Sequence, residues 1–276
     1  MPERIRITSP APSILVIAID RAHKRNAVDR DTATELHRAF VDFASDDQWK
    51  VAILTGSGGS FCAGADLGAI QAGRGNVLDP DMDTMGPMGP TRLSLRKPVI
   101  AAIEGYAVAG GLELACWCDI RVAAADARLG VLCRLRGVPL IDGGTVRLPA
   151  LIGVSRAMDL VLTGRLITAK EAHEMGLVSH LSAPGAALDR AIELAHQLIA
   201  HPQTCMLNDR ASLLASSLGH CPEDAGTTTT GANEHNVQGR LRADMAREFE
   251  LGLHSLAALQ SQGQIQAFLE KRGAKM

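Results

Sequence analysis

Aromatic residues are nearly missing from this chain. Of 276 residues, 3% are aromatic, with one Tyr and two Trp. Single-stranded nucleic acid is gripped by stacking on aromatic faces, so that class of function is excluded. Excess positive charge is missing too: 28 Lys and Arg against 30 Asp and Glu leave a net charge of -2, which argues against a basic nucleic-acid surface. The six cysteines (Cys62, Cys116, Cys118, Cys133, Cys205, Cys221) contain no CxxC pair, so neither a zinc knuckle nor a disulfide framework is indicated. The amino-terminal MPERIRITSP has no apolar signal-peptide core. The reading is a reducing cytoplasm with free thiols. The longest apolar run, Val99 to Trp117, is broken by Glu104, Glu113 and glycines. Carboxylates at those depths cost a few kcal/mol each in a bilayer, so this run is read as protein core.

What remains is an interior of Ala, Val, Leu and Ile, with 27 glycines that imply close backbone packing and special turns. ILVIAID (14–20), WKVAILT (49–55), PVIAAIE (98–104), DIRVAAAD and ARLGVL are short runs of strand character. Asp29 or Asp31 is expected to cap a helix carrying Leu36, Phe40 and Phe43 on one face. Alternation of such strands with helical stretches indicates an α/β fold. From Asp142 onward the pattern turns helical, with Thr168 and Glu171 in a capping-box spacing. A helix over 184–200 is expected to carry Leu188, Ile192, Ala195 and Ile199 on one face.

Two segments break this order. Gly68 to Lys97 is rich in Gly and Pro and reads as a long loop, with Met82, Met85 and Met88 as adaptable contacts of a lid over a site. Residues 216–236 are polar, Gly- and Thr-rich, and read as a flexible linker. The expected organisation is a catalytic core over 1–200 and a helical carboxy-terminal region over 201–276.

Candidate chemistry gathers at two glycine turns. In AGGLE, Gly110 and Gly111 open a helix whose first N–H groups are free for a ligand, and such donors can hold a developing oxyanion. Glu113 lies one turn further on; it is read either as a cap complementing the helix dipole or as an acid/base. In SFCAGADL, Gly64 and Ala65 form a second donor turn before Asp66 and Leu67.

The stretches TGSGGSFCAGADL, KPVIAAIEGYAVAGGLELACWCDIRVAAADARLG, GGTVRLPALIGVSRAMDLVLTGR and ITAKEAHEMGLVSHL, with FLEKR in the tail, together resemble the enoyl-CoA hydratase/isomerase (crotonase) family. The resemblance implies a spiral of ββα units with a helical carboxy-terminal oligomerisation region, assembled as a trimer or a dimer of trimers. It implies an acyl-CoA thioester substrate and no separate cofactor, coenzyme A being part of the substrate. The thioester oxygen would be held by the N–H groups of Ala65 and Gly110. Coenzyme A would lie along Ala63, Gly64, Asp66 and Leu67, with Lys24, Arg25 and a neighbouring subunit's Lys271 for its phosphates.

Hydratases of the family pair two glutamates. Glu113 matches the first; the second position falls on Cys133, and a thiol does not replace a carboxylate. Asp142 is the candidate compensating acid, read either as a plain helix cap or as a reactive carboxylate. Cys133 is read as an apolar filler or, beside Arg134 and Arg136, as an activated nucleophile. One of those two arginines is expected to pair with Asp142 or Glu113. The leading expectation is hydration of a 2-enoyl-CoA by Glu113 and Asp142. The alternatives are an enoyl- or dienoyl-CoA isomerase using the same pair, a hydrolase or dehalogenase with Asp142 as nucleophile, and a non-catalytic acyl-CoA binder.

Overall fold

The computed structural model describes residues 4–218 and 234–261. Strands β1 (Ile5–Ala11), β2 (Ile14–Ile19), β3 (Val51–Gly56), β4 (Val99–Ile103), β6 (Ile120–Ala124) and β9 (His180–Ser182) form one sheet in the order β1-β2-β3-β4-β6-β9. Only the β1–β2 pair is antiparallel. A parallel sheet must be covered on both faces, so its strands read as unbroken apolar runs. Along β2, Ile17 and Ile19 face the core that holds Leu36, Phe40 and Phe43. The alternate residues Ile14 and Val16 face a second core.

That first core is built by α1 (Arg30–Ser45), whose start is set by Asp29: its carboxylate accepts the Thr32 N–H at 3.0 Å. The second core is closed by α7 (Ala187–Ala200). Its fully buried residues are Ala187, Ala191, Leu194 and Ala195. Leu188, Ile192 and Ile199 are half-buried and pack against the same core. The alanines of α7 meet the β-branched side chains of Ile14, Val16, Val51, Ile53, Ile100 and Val122.

A smaller sheet joins β5 (Tyr106–Val108), β7 (Arg128–Gly130) and β8 (Leu166–Thr168). Main-sheet strand β4 leads to small-sheet strand β5 and then to α3 (Gly110–Trp117), a ββα unit; β6 leads likewise to β7. Two helices follow, α4 (Gly144–Ile152) and α5 (Val154–Thr163), then α6 (Ala169–Glu174). Thr168 caps α6 by accepting the Glu171 N–H at 3.1 Å, while the Glu171 carboxylate turns to Arg165 instead of closing a capping box.

The long loop is more ordered than its composition suggests. It opens with α2 (Leu67–Gln71), and residues 90–92 form a 3-10 turn. Residues 86–91 are buried, and Met88 is 2% exposed. Of the expected linker, residues 219–233 lie outside the described residues, and its ends, 216–218 and 234–236, belong to α8 (Gln203–Leu218) and α9 (Glu234–Ser261). Among the described residues, no helix is long and apolar enough to cross a membrane.

Candidate active site

The two glycine turns meet. The segment after β3 runs beside β5: Cys62 N–H donates to Tyr106 O at 2.9 Å, and Val108 N–H returns to Cys62 O at 3.1 Å. Gly64 has φ +90°, and a Cβ there would lie 2.9 Å from the Ala109 Cβ and 3.0 Å from the Gly110 nitrogen. A Cβ on Gly111 would sit 2.1 Å from the Cys62 carbonyl oxygen. Ala109, at φ +54° and ψ -128°, takes a conformation that L residues avoid, the kind of local strain that collects at functional sites. Among the described residues, the N–H groups of Ala65 and Gly110 have no acceptor. Both residues line one cavity of about 910 Å³, within the usual size of a small-molecule site.

The floor of that cavity holds carboxylates. Glu113, in the first turn of α3, is 3% exposed. Its Oε1 accepts two N–H groups, from Asp142 and Gly144, each at 2.9 Å; Oε2 accepts no hydrogen bond among the described residues. Burial, followed by the charges of Asp142 and Glu248, pushes this carboxyl well above the usual carboxylate range, outweighing the two N–H donors. Asp142 is 2% exposed. Its Oδ1 accepts from Met88 N–H at 2.9 Å and Thr91 Oγ1 at 2.5 Å. Burial raises it to about 6 against the pull of those hydrogen bonds. Asp142 does not cap α4: its carboxylate turns back to the 86–91 loop, and the helix start at Gly143 has no cap of its own. The capping oxygens come from Glu113 and from Glu248.

Glu248 belongs to α9. Its Oε2 accepts Gly143 N–H at 2.5 Å, and its Oε1 accepts Thr145 N–H at 2.6 Å and Thr145 Oγ1 at 2.7 Å. Leu256 of the same helix also lines the cavity. Catalytic residues were expected before about Ala200; these two tail residues lie beyond it. Leu241, Met245, Glu248 and Phe249 are all buried, spaced i, i+4, i+7, i+8 on one helix face. An acid set inside such an apolar stripe is the sequence signal that would have found Glu248.

The mouth is different. Lys24 and Arg25 are exposed and line the cavity with Ala63, Asp66 and Leu67. Gly64 stands between them, at the contact with Ala109. Asp66 caps α2 by accepting Gly68 N–H at 3.0 Å and Ala69 N–H at 3.2 Å, and pairs with the buried Arg21 at 3.0 Å. Burial alone would raise its carboxyl. The Arg21 and Ala69 hydrogen bonds, with the charges of Lys24 and Arg21, bring it below the ordinary value. Lys271 lies outside the described residues.

Cys133 also lines the cavity, as a buried thiol. Burial and then the charge of Glu113 push its thiol up to about 12, more than Arg134 can offset. Arg134 does not pair with either acid; its Nε donates to Val161 O at 3.3 Å. The guanidinium groups beside Asp142 are those of Arg92, felt through its charge, and Arg147, whose Nη1 donates to the Asp142 carbonyl at 2.8 Å. Neither was anticipated.

Known proteins carry the same arrangement of elements. The family profile described as Enoyl-CoA hydratase/isomerase matches residues 10–276. A carnitinyl-CoA dehydratase from Salmonella arizonae is 37% identical over 274 residues, 99% of this chain and 97% of that protein. The crystal structure of an enoyl-CoA hydratase from Mycobacterium tuberculosis H37Rv superposes with a TM-score of 0.72 at 41% identity, covering 77% of this chain and 82% of that one. The structure of a carnitinyl-CoA hydratase from Mycobacterium avium does so with a TM-score of 0.79 at 25% identity over 98% and 97% of the two chains. The protein therefore belongs to the enoyl-CoA hydratase/isomerase, or crotonase, family of acyl-CoA-processing enzymes.

Proposed function

We propose that this enzyme adds water to the double bond of a 2-enoyl-CoA and, in reverse, removes it from the 3-hydroxy thioester. One observation carries the reading. Two N–H groups without acceptors, on Ala65 and Gly110, line the same cavity as a buried carboxyl that favours its proton. Donors fixed in place before the reaction stabilise the enolate oxygen as charge builds there, at no cost of reorganisation.

The two acids divide the proton work by environment. Asp142, ionised above about pH 6, takes a proton from water as the oxygen bonds to the β-carbon. The π electrons move through the α-carbon onto the thioester oxygen, which rests on Ala65 and Gly110. Glu113, its carboxyl pushed well above the usual carboxylate range, then delivers its proton to the α-carbon. Asp142 releases the proton it took to solvent and Glu113 takes one up, which restores both acids. Asp142 thus fills the place left by Cys133. Lys24 and Arg25 at the mouth, with Lys271 of a neighbouring subunit, receive the phosphates of coenzyme A. Val154, Met158 and Leu162, exposed at i, i+4, i+8 on α5, supply an apolar stripe for assembly as a trimer or dimer of trimers.

The test is to incubate the protein with crotonyl-CoA and follow the conjugated thioester absorbance and the product mass. Loss of absorbance with gain of one water supports hydration. A shifted double bond at unchanged mass on 3-enoyl or dienoyl substrates would replace it with isomerisation. Binding without turnover of any of these would leave a non-catalytic binder.

A further inference from the structure

The first turn of any α-helix leaves N–H groups without partners inside the helix. At α4 the sequence Gly143-Gly144 offers no side chain to satisfy them, and two adjacent glycines give the turn unusual freedom. The donors are taken instead by two glutamates, and in strict alternation. Asp142 and Gly144 donate to Glu113; Gly143 and Thr145 donate to Glu248. One glutamate comes from the helix that opens at the oxyanion turn. The other comes from the carboxy-terminal helix, 105 residues away from Gly143 in the chain.

We propose that Glu248 is a positioning residue for Glu113. By fixing Gly143 and Thr145 it holds the turn that grips Glu113 Oε1, so the acid is correctly aimed only when α9 is docked. This rests on the hydration reading above for the step that Glu113 performs, and it extends that reading to a dependence on the tail.

Three features support it. Glu248 accepts through both oxygens, Oε2 from Gly143 and Oε1 from Thr145. A glutamine could serve only one of these, since its amide nitrogen would face a donor. The helix that carries Glu248 is seated closely: Met245 and Phe249 are buried, and a Cβ on Gly252 would lie 2.1 Å from the Ile141 Cγ2. Glu248 also adds negative charge to the pocket. The groups around Glu113 are Asp142 from the loop before α4, Glu248 from α9, Arg147 from α4, Cys116 from α3 and Cys133 from a second 3-10 turn, Leu132–Arg136, with Arg92 beyond Asp142. Taking the Glu248 charge away lowers the proton affinity of Glu113 and of Asp142 together.

The experiment compares full-length wild type, Glu248→Gln and Glu113→Gln. With crotonyl-CoA, E248Q is expected to lose about tenfold or more in kcat, with KM within about threefold. Both limbs of its pH–rate profile should move to lower pH. Infrared titration supplies a readout without turnover: the carboxylic-acid C=O band that disappears in E113Q should lose its intensity at lower pH in E248Q. A glutamate that merely docks the tail would lower the melting temperature and leave kcat, the limbs and the band where they were, and that result would overturn the proposal. If E248Q does not fold, Thr145→Val removes one donor and keeps the charge. It should lower kcat by about two- to fivefold with the limbs unmoved, and an unchanged kcat counts against the proposal. A wild type inert on every enoyl-CoA, with the band shift present in E248Q, sinks the hydration reading and leaves the positioning role standing. An active wild type with neither change in E248Q does the reverse.

Discussion

Asp66 and Glu113 line one cavity, and each accepts two backbone N–H groups at the start of a helix. Their proton affinities nevertheless move in opposite directions. Asp66 caps its own helix and has the Arg21 guanidinium at 3.0 Å, and its carboxyl is brought down against the effect of burial. Glu113 caps a helix that is not its own. No cation pairs with it among the described residues, two other carboxylates face it, and its carboxyl rises. Two N–H donors are the same in both cases, so they do not decide the outcome. Depth of burial, the larger effect on Glu113, and then the neighbouring charge do. Glu104 is a third variation: its two oxygens accept Gly185 and Ala187 N–H at 3.0 and 2.8 Å, a distant helix cap at a half-buried position away from the cavity. A glutamate on a glycine turn is thus a structural cap or a candidate acid according to what surrounds it.

The largest expected effect comes from breaking the contact that holds both regions together. Gly111 lies where the helix of Glu113 meets the segment between β3 and Asp66, and Gly111→Ala drives a methyl into the Cys62 carbonyl. The cost should be about 3 kcal/mol, read as a lower denaturant midpoint. Asp66→Asn should cost about 2 kcal/mol, because Arg21 keeps Asp29 at 3.0 Å as a second partner. The sign with pH follows from the lowered carboxyl. Its stabilisation is present above the unfolded value and fades as pH falls through the folded one, so the deficit of D66N relative to wild type should shrink in acid.

Glu113→Gln should do the opposite. A raised carboxyl contributes stability that is complete below its unfolded value and is lost as pH rises through its folded value. Wild type therefore weakens toward alkaline pH. E113Q has no proton to lose there, and should melt above wild type by a margin that widens as pH rises above the usual carboxylate range. A constant margin would show that the two acids do not differ as described. The smallest effect belongs to Cys133→Ser. A neutral thiol that only fills space predicts kcat within about threefold of wild type; a loss of about a hundredfold would make it a reacting group after all.

The sequence carried the features whose causes are local. Apolar runs marked the strands, Asp29 and Thr168 marked helix starts, and Gly64-Ala65 and Gly110-Gly111 marked the donor turns. Contacts between distant segments were not legible. Asp142 precedes a helix and looks like its cap, yet its carboxylate is drawn to Met88 and Thr91, a preference set by a loop more than 50 residues earlier. Arg134 looked like a partner for the acids because it is near Cys133 in the chain, yet it donates to Val161 O, whereas Arg147 reaches the Asp142 carbonyl through the fold. Glu248 satisfies donors across 105 residues, and only its place on an apolar helix stripe hinted at burial.

The central claim is that a proton-holding Glu113 and the Ala65 and Gly110 N–H groups act on one thioester. The most direct measurement is the rate of crotonyl-CoA hydration by wild type and E113Q, with saturating substrate and equal bound fractions verified by calorimetry. Wild type should hydrate crotonyl-CoA steadily, and E113Q should lose about a thousandfold in kcat with binding preserved. Turnover by E113Q within about tenfold of wild type would contradict it.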